Sequence, residues 1–343
     1  MELENNFNLE QFNPDVLREY DIRGIVNKDL TVNTAYSIGR TFGHIVCSKF
    51  PEKKIATGYD GRLTSPSLHN ALCAGLLESG ANVFSIGLCP TPMAYFAHYH
   101  LKTDAAVMVT GSHNPPEYNG FKMVLNKHSF FADEIQNLQL LTTLKNISTG
   151  QGTLNNIDIN NEYLKNNLKN IKFNKKIKIA WDIANGSMGT VIDSFTNQLS
   201  SAEHIVINKE VDGTFPNHHP DPTVPKNMEQ LVQTVVSNSC DIGLGFDGDG
   251  DRLGVVDNKG NIIWADQYML LLAKEISNLY ENPKIIMDVK SSKVFFDEVK
   301  KFDCEPIMFK TGHSPIKEKM KELKSPLSGE MSGHICYADD FFG

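Results

Sequence analysis

Two short stretches concentrate side chains that could do chemistry. Residues 107 to 122, VMVTGSHNPPEYNGFK, are an apolar run emptying into a loop that presents Ser112 beside His113 and Asn114. A hydroxyl at the mouth of a buried strand is a potential nucleophile, although Gly-Ser and Asn-Pro-Pro are also ordinary turn vocabulary. Residues 241 to 252, DIGLGFDGDGDR, end a second apolar run in Asp247, Asp249 and Asp251, separated by glycines. Three carboxylates this close repel one another unless a cation sits among them, and hard oxygen ligands suit Mg²⁺ rather than zinc. A calcium hand fails on spacing: counted from Asp247, Arg252 stands where the loop needs glycine and Asn258 where it needs a bidentate glutamate. A solvated turn after a strand is the competing reading. A third loop, PLSGEMSGH at 326 to 334, sets Glu330, Ser332 and His334 among small residues, a polar surface able to hydrogen-bond sugar hydroxyls.

A serine hydroxyl is a poor nucleophile at neutral pH without a base or a metal, whereas a phosphoserine bound to Mg²⁺ is a competent phosphoryl donor. Three aspartates and one oxygen of a phosphorylated Ser112 would fill most of an octahedral shell. Arg252, directly after the aspartates, is placed to steady phosphoryl oxygens as charge redistributes. A serine hydrolase is disfavoured, because neither TGSHN nor SGEMSG has the G-x-S-x-G pattern.

The elements that must position these loops recur. KIATGYDGR around Asp60, KIKIAWDIANG around Asp182 and KIIMDVKSS around Asp288 each read as an apolar strand ending in an acidic residue. Each is followed by one of the three loops. This predicts an α/β fold of three consecutive similar domains with mixed sheets around a shared cleft: residues 1–153 with the serine loop, 154–257 with the metal loop and 258–343 with the third loop. In the first domain, 65–80 reads as a helix with Ser65 as N-cap, Pro66 in its first turn and Gly80 ending it. A strand over 82–87, a helix over 91–100 and a strand over 105–110 follow. The Asn- and Lys-rich segment 154–176 carries enough apolar spacing for a helix joining domains.

Bulk properties fit a cytoplasmic enzyme. At 343 residues the chain exceeds one typical core. Six cysteines without a C-x-x-C pair read as reduced thiols. The polar N-terminus has no basic and apolar leader pattern, and no apolar stretch reaches the length of a bilayer span. A net charge of −8 argues against nucleic acid, so any phosphate site must be built locally.

Together TGSHNPPEYNGFK, GFDGDGDR, GEMSGH and REYDIRG (18 to 24) resemble the four signature segments of the α-D-phosphohexomutases, in the family's order and over almost the whole chain. The wording is similar to that of bacterial phosphomannomutase/phosphoglucomutase. Sister phosphoglucosamine mutases are expected to differ at the N-terminal segment and to carry Gln at the position of Met331. The resemblance implies a cycle in which phosphorylated Ser112 donates to a hexose monophosphate, a 1,6-bisphosphate turns over, and its other phosphate returns to Ser112. Mg²⁺ and a hexose 1,6-bisphosphate activator are the implied cofactors. Hexose phosphates are the implied partners of a chain acting as a monomer, without nucleic acid or membrane. Glu330 and Ser332 would hold the sugar. Lys122, His334 and Arg23 would be candidates for proton transfer and charge stabilisation, with His113 supporting the phosphoserine loop.

Tyr20 and Arg23 would face the cleft, though YDIRG also reads as a turn locked by an Asp–Arg pair. Lys290 matches a position lining the family's active site. His313 matches the family's domain-three loop, while Ser314-Pro315 equally reads as a helix start. The family's fourth, phosphate-clamping domain is missing from this sequence, and the ending ADDFFG suggests an incomplete third domain. Reduced mutase turnover is therefore expected. Phosphoglucosamine mutase and a non-catalytic phosphosugar-binding fragment are the alternatives.

Overall fold

The computed structural model describes residues 7–144, 146–339 and 341. Asp340, Phe342 and Gly343, on which the expectation of an incomplete third domain rests, lie outside them. The chain divides into two compact units, residues 1–163 with 212–214, and residues 164–211 with 215–343.

In the first unit, Ile22–Ile25 (β1), Lys54–Tyr59 (β2), Asn82–Leu88 (β3), Ala105–Val109 (β4), Tyr118–Leu125 (β5), His128–Ser129 (β6) and Leu154–Asn156 (β7) form one mixed sheet. Its order is β1-β5-β4-β2-β3-β7, with β6 beside β5. Val32–Lys49 (α1), Ser65–Glu78 (α2) and Asp133–Leu141 (α4) share a core with alternate strand residues such as Ile55, Val83, Val107 and Val109. Between them in the chain, Thr91–His100 (α3) lies against β2 and β4, where Ala56, Ala106 and Met108 are buried on the other face. Helices thus cover both faces of a sheet whose central strand β4 is apolar and buried throughout.

The division between units falls within Asn160–Leu168 (α5). The second unit holds two sheets. Ile177–Asp182 (β8), Ala202–Ile207 (β9), Ile242–Phe246 (β10), Leu253–Asp257 (β11) and Ile262–Ile263 (β12) run in order β12-β11-β10-β8-β9. Lys284–Asp288 (β13), Glu305–Phe309 (β14), Leu327–Gly329 (β15) and Ile335–Tyr337 (β16) run in order β14-β13-β15-β16. The connecting helices are Ile192–Gln198 (α6), Glu229–Ser237 (α7), Ala265–Ser277 (α8), Lys293–Glu298 (α9) and His313–Leu323 (α10). Val255 of β11 packs in one core with Tyr268 and Met269 of α8, Met287 of β13 and Leu327 of β15, so the two sheets form one unit.

The threefold repetition read from the sequence is present strand for strand. Each sheet contains the same four-strand motif: β3-β2-β4-β5, β9-β8-β10-β11 and β14-β13-β15-β16. In each, the first two pairings are parallel and the last is antiparallel. Every chemically interesting loop therefore joins the third strand of its motif to the fourth, at the carboxyl end of a parallel strand.

Three expectations shift. Ser65 is inside α2, not its N-cap: the cap is Thr64, whose side chain makes no capping bond, and the Ser65 hydroxyl donates to Asp60 Oδ1 at 2.5 Å. Leu154–Asn156 pairs with β3 and extends the first sheet past residue 153. Ile262–Ile263 pairs with β11 and extends the second past residue 257.

α1 and α2 touch backbone to backbone. A Cβ on Gly39 would sit 2.2 Å from the Leu72 carbonyl oxygen, and one on Gly75 2.2 Å from that of Tyr36. Backbone cannot give way as a flexible side chain can, so Gly75→Val should lower the stability of the first unit by about 3 kcal/mol. An earlier first transition in urea unfolding checks this; an unchanged midpoint would contradict the contact.

Candidate active site

In the first unit, β4 delivers Ser112 into a loop that returns directly as β5. Ser112 is buried and adopts φ +48°, a left-handed conformation that a non-glycine residue holds only when its surroundings fix it. Its N–H donates to Thr110 Oγ1 at 2.8 Å, and His113 Nδ1 stands 3.4 Å from Ser112 Oγ. The antiparallel register sets Met108 opposite Lys122, which is buried at 4 % exposure, and Arg23 of β1 opposite Gly120. Arg23 donates from Nη1 to the Thr110 carbonyl at 2.6 Å and pairs with Asp21. The Asp–Arg pair read from YDIRG is thus present, and the same guanidinium reaches the serine loop. Tyr20 is half-buried.

Asp60 and Arg62 organise this loop. The Asp60 carboxylate, 1 % exposed, accepts from Thr110 Oγ1 at 2.8 Å and from the Gly111 N–H at 2.9 Å. The Arg62 guanidinium donates to backbone carbonyls on the far side of Ser112. No spacing in the sequence marked Arg62; the only signal was the recurrence of a strand ending in aspartate.

In the second unit, Asp247, Asp249 and Asp251 converge so that one carboxylate oxygen from each lies within 4.8 Å of the others. Asp247 and Asp249 are fully buried and Asp251 partly so. Asp247 Oδ1 accepts from the N–H groups of Asp251 and Arg252 at 3.0 and 3.1 Å, and Gly250 at φ +72° closes the curl. Arg252 Nε lies 3.9 Å from Asp247 Oδ2, and Nη1 lies 4.0 Å from Asp221. The Ser187 N–H and hydroxyl both donate to the Gly248 carbonyl. A buried, all-carboxylate donor set tied down by its own backbone suits a hard divalent cation and not a thiophilic one.

The Glu330 loop is built onto the metal loop. His334 Nε2 bonds Asp251 Oδ1 at 3.0 Å, its Nδ1 bonds Glu330 Oε2 at 2.8 Å, and Ser332 Oγ lies 3.0 Å from Nδ1. Leu253 N–H donates to the Gly333 carbonyl, locking β11 to the same turn. Glu330 Oε1 accepts from the Gly312 N–H at 2.7 Å, and Asp288 accepts from Met331 N–H and Thr311 Oγ1. His313 is the first residue of α10, one residue before the Ser314-Pro315 pair, and its ring lies 5.4 Å from that of His334. Lys290 is exposed after β13.

Burial disfavours a charged His334, but the Asp251 and Glu330 carboxylates on its two nitrogens outweigh that and lift its pKa to about 9. Glu330 is likewise opposed by burial yet held below the usual carboxylate range by His334, the Gly312 N–H and Arg252. Elsewhere in this unit, His218 donates to Asp182 at 3.0 Å; burial opposes its charge, but Asp182 and the His219 carbonyl raise its pKa. His98, also without a role in the sequence reading, bonds Thr103 and accepts from the Lys127 N–H.

Comparison with known proteins agrees with this geometry. Profiles of phosphoglucomutase/phosphomannomutase alpha/beta/alpha domains I, II and III match residues 15–148, 161–260 and 264–342. The chain belongs to the phosphoglucomutase/phosphomannomutase family, within the α-D-phosphohexomutase superfamily. It is 41% identical over 328 residues to a phosphomannomutase/phosphoglucomutase of Pseudomonas aeruginosa, covering 96% of this chain and 70% of that protein. It is 42% identical to a phosphoglucomutase of Neisseria meningitidis, covering 96% and 72%. A crystal structure of a family protein from Burkholderia thailandensis superposes with a TM-score of 0.92 at 38% identity, covering 97% of this chain and 74% of that one.

Because the folded pKa of His334 lies above the ordinary value of about 6.5, its ion pairs add stability that is complete below that pH. This stability is lost as pH rises through about 9. NMR titration of the metal-free chain should find the His334 imidazole protonated at neutral pH, and Asp251→Asn should lower its midpoint by about one unit or more. A midpoint near 6.5 in the unmodified chain would show that the two carboxylates do not hold the charge.

Proposed function

We propose that the chain is a phosphohexomutase that interconverts the 6-phosphate and 1-phosphate of glucose, mannose or both through a phosphoserine at Ser112. The observation that carries this reading is the buried, convergent Asp247–Asp249–Asp251 set in a chain whose family and serine loop both point to phosphoryl transfer. These three residues would hold Mg²⁺. When bound, the cation would offset negative charge on the transferring phosphoryl group.

The chain's own residues supply the rest. Ser112 Oγ carries the phosphoryl group. Its bond to phosphorus breaks as the sugar hydroxyl forms a new one, the hydroxyl proton leaves to a protein group, and Ser112 Oγ takes up a proton as it departs. Lys122, Arg23 and His334 are assigned to charge stabilisation and proton movement. Arg252 steadies phosphoryl oxygens, and His113 supports the serine loop. Glu330 and Ser332 hold the ring hydroxyls, with Tyr20, Lys290 and His313 contributing to substrate binding. Each Glu330 oxygen has a protein partner but retains a lone pair for a hydroxyl. Recognising the ring rather than one phosphate lets the 1,6-bisphosphate react in either orientation.

We further propose that the chain acts as a cytoplasmic monomer on small hexose phosphates, without nucleic acid. Among the described residues no helix is long and apolar enough to cross a membrane. The three domains are proposed as 1–153, 154–257 and 258–343, adjusted so that β7 stays with the first and β12 with the second.

Incubation with glucose 1,6-bisphosphate and Mg²⁺, followed by intact mass and peptide mapping, tests the reading. One phosphate should appear on Ser112, none should appear on Ser112→Ala, and EDTA should slow loading by about 100-fold or more. Loading that is indifferent to metal removal, or that lands on another residue, would refute it.

A further inference from the structure

We infer that Arg62 is a positioning residue for the reactive serine, acting with Asp60 as a clamp on both sides of Ser112. Arg62 follows β2 in the turn Asp60-Gly61-Arg62 and is 1 % exposed, so its guanidinium is withdrawn from solvent. Nη2 donates to the carbonyls of Ser112 and Asn114 at 2.7 and 2.6 Å. Nη1 donates to those of Pro115 and Tyr118 at 2.6 and 3.1 Å. Nε lies 3.2 Å from Asp60 Oδ2, the same oxygen that accepts from Thr110 and Gly111. One guanidinium thus gathers four carbonyls of the serine loop, while its partner carboxylate takes the donors just before the serine.

The loop is moulded to this cation. A Cβ on Gly111 would fall 2.1 Å from Arg62 Nε, so the residue before Ser112 must be glycine for the chain to cross the guanidinium. From the other side, a Cβ on Gly213 would lie 2.6 Å from Arg62 Cα, so segment 212–214 packs on the same turn. Held between these contacts, Ser112 keeps φ +48°. The bonded carbonyls are compensated by a cation, so their negative ends do not oppose a phosphoryl dianion on the same loop. Lysine could not substitute: a single ammonium has three donors on a point charge and cannot fork onto four carbonyls while pairing with Asp60.

The kinetic part of this inference rests on the phosphoserine reading; the structural part does not, and two measurements separate them. Amide exchange read by mass spectrometry should show peptides over 111–119 losing protection by about tenfold or more in Arg62→Lys, with β3 and β13 peptides unchanged. Loading from glucose 1,6-bisphosphate with Mg²⁺ should lose about 30-fold or more in kcat, with KM within about threefold, because orientation rather than binding is lost. Methylguanidinium should restore part of the loss in Arg62→Ala; if that variant does not fold, Arg62→Lys carries the test. Wild-type protection in the loop, or a loss confined to KM, would overturn the inference. If the unmodified chain is not phosphorylated at all, the phosphoserine reading fails and the exchange result alone decides the clamp.

Discussion

Each of the three sheets turns on a carboxylate buried at the end of the second strand of its four-strand motif, β2, β8 or β13. Asp60, Asp182 and Asp288 are at most 2 % exposed, and a charge so placed must be surrounded by donors. The donors come from the loops that surround the active-site segments. Asp60 takes them from Thr110 and Gly111, Asp288 from Ser291, Thr311 and Met331, and Asp182 from the Ala184 N–H, Asn208 and His218. In the first and third sheets, satisfying the carboxylate and shaping the loop are therefore one event, and strand pairing alone would not fix either.

The second sheet departs from the other two. Its aspartate does not reach the metal loop, and Ser187 of the adjoining turn grips the Gly248 carbonyl instead. A loop carrying three carboxylates gains nothing from a fourth nearby. Arg252 and the His334 imidazole, the latter delivered by the third sheet, lie against its carboxylates. The metal loop and the sugar loop are consequently one electrostatic system: a change of charge at Asp251 is felt at Glu330 through a single imidazole ring.

Much of the architecture was legible because apolar runs ending in aspartate are dense, periodic signals. The strands at 54–59, 177–182 and 284–288, the helix over 91–100 and the three loops lie where the residues placed them. The misses have physical reasons. Ser65 looks like a cap, but a buried carboxylate competes for its hydroxyl more strongly than an N–H of the helix end. Leu154–Asn156 is a short, largely polar edge strand with no alternation to detect, and Ile262–Ile263 is only a hairpin stub. Arg62 had no sequence signature because it binds carbonyl oxygens, which every residue possesses. Its role belongs to the backbone path and not to residue types.

That the functional loops are tips of hairpins, and not strand-to-helix turns, constrains how such a chain can vary. A loop feeding a helix can absorb an inserted residue by letting the helix slide or rotate. Here β5 leaves the serine loop already paired, Val109 with Phe121 and Met108 with Lys122. A slip of β5 by one residue against β4 would send the lysine to the opposite face of the sheet and bring an apolar neighbour in its place. The register of the signature segment is thus governed by the parity of the pleat: only even slips keep the ammonium on its side.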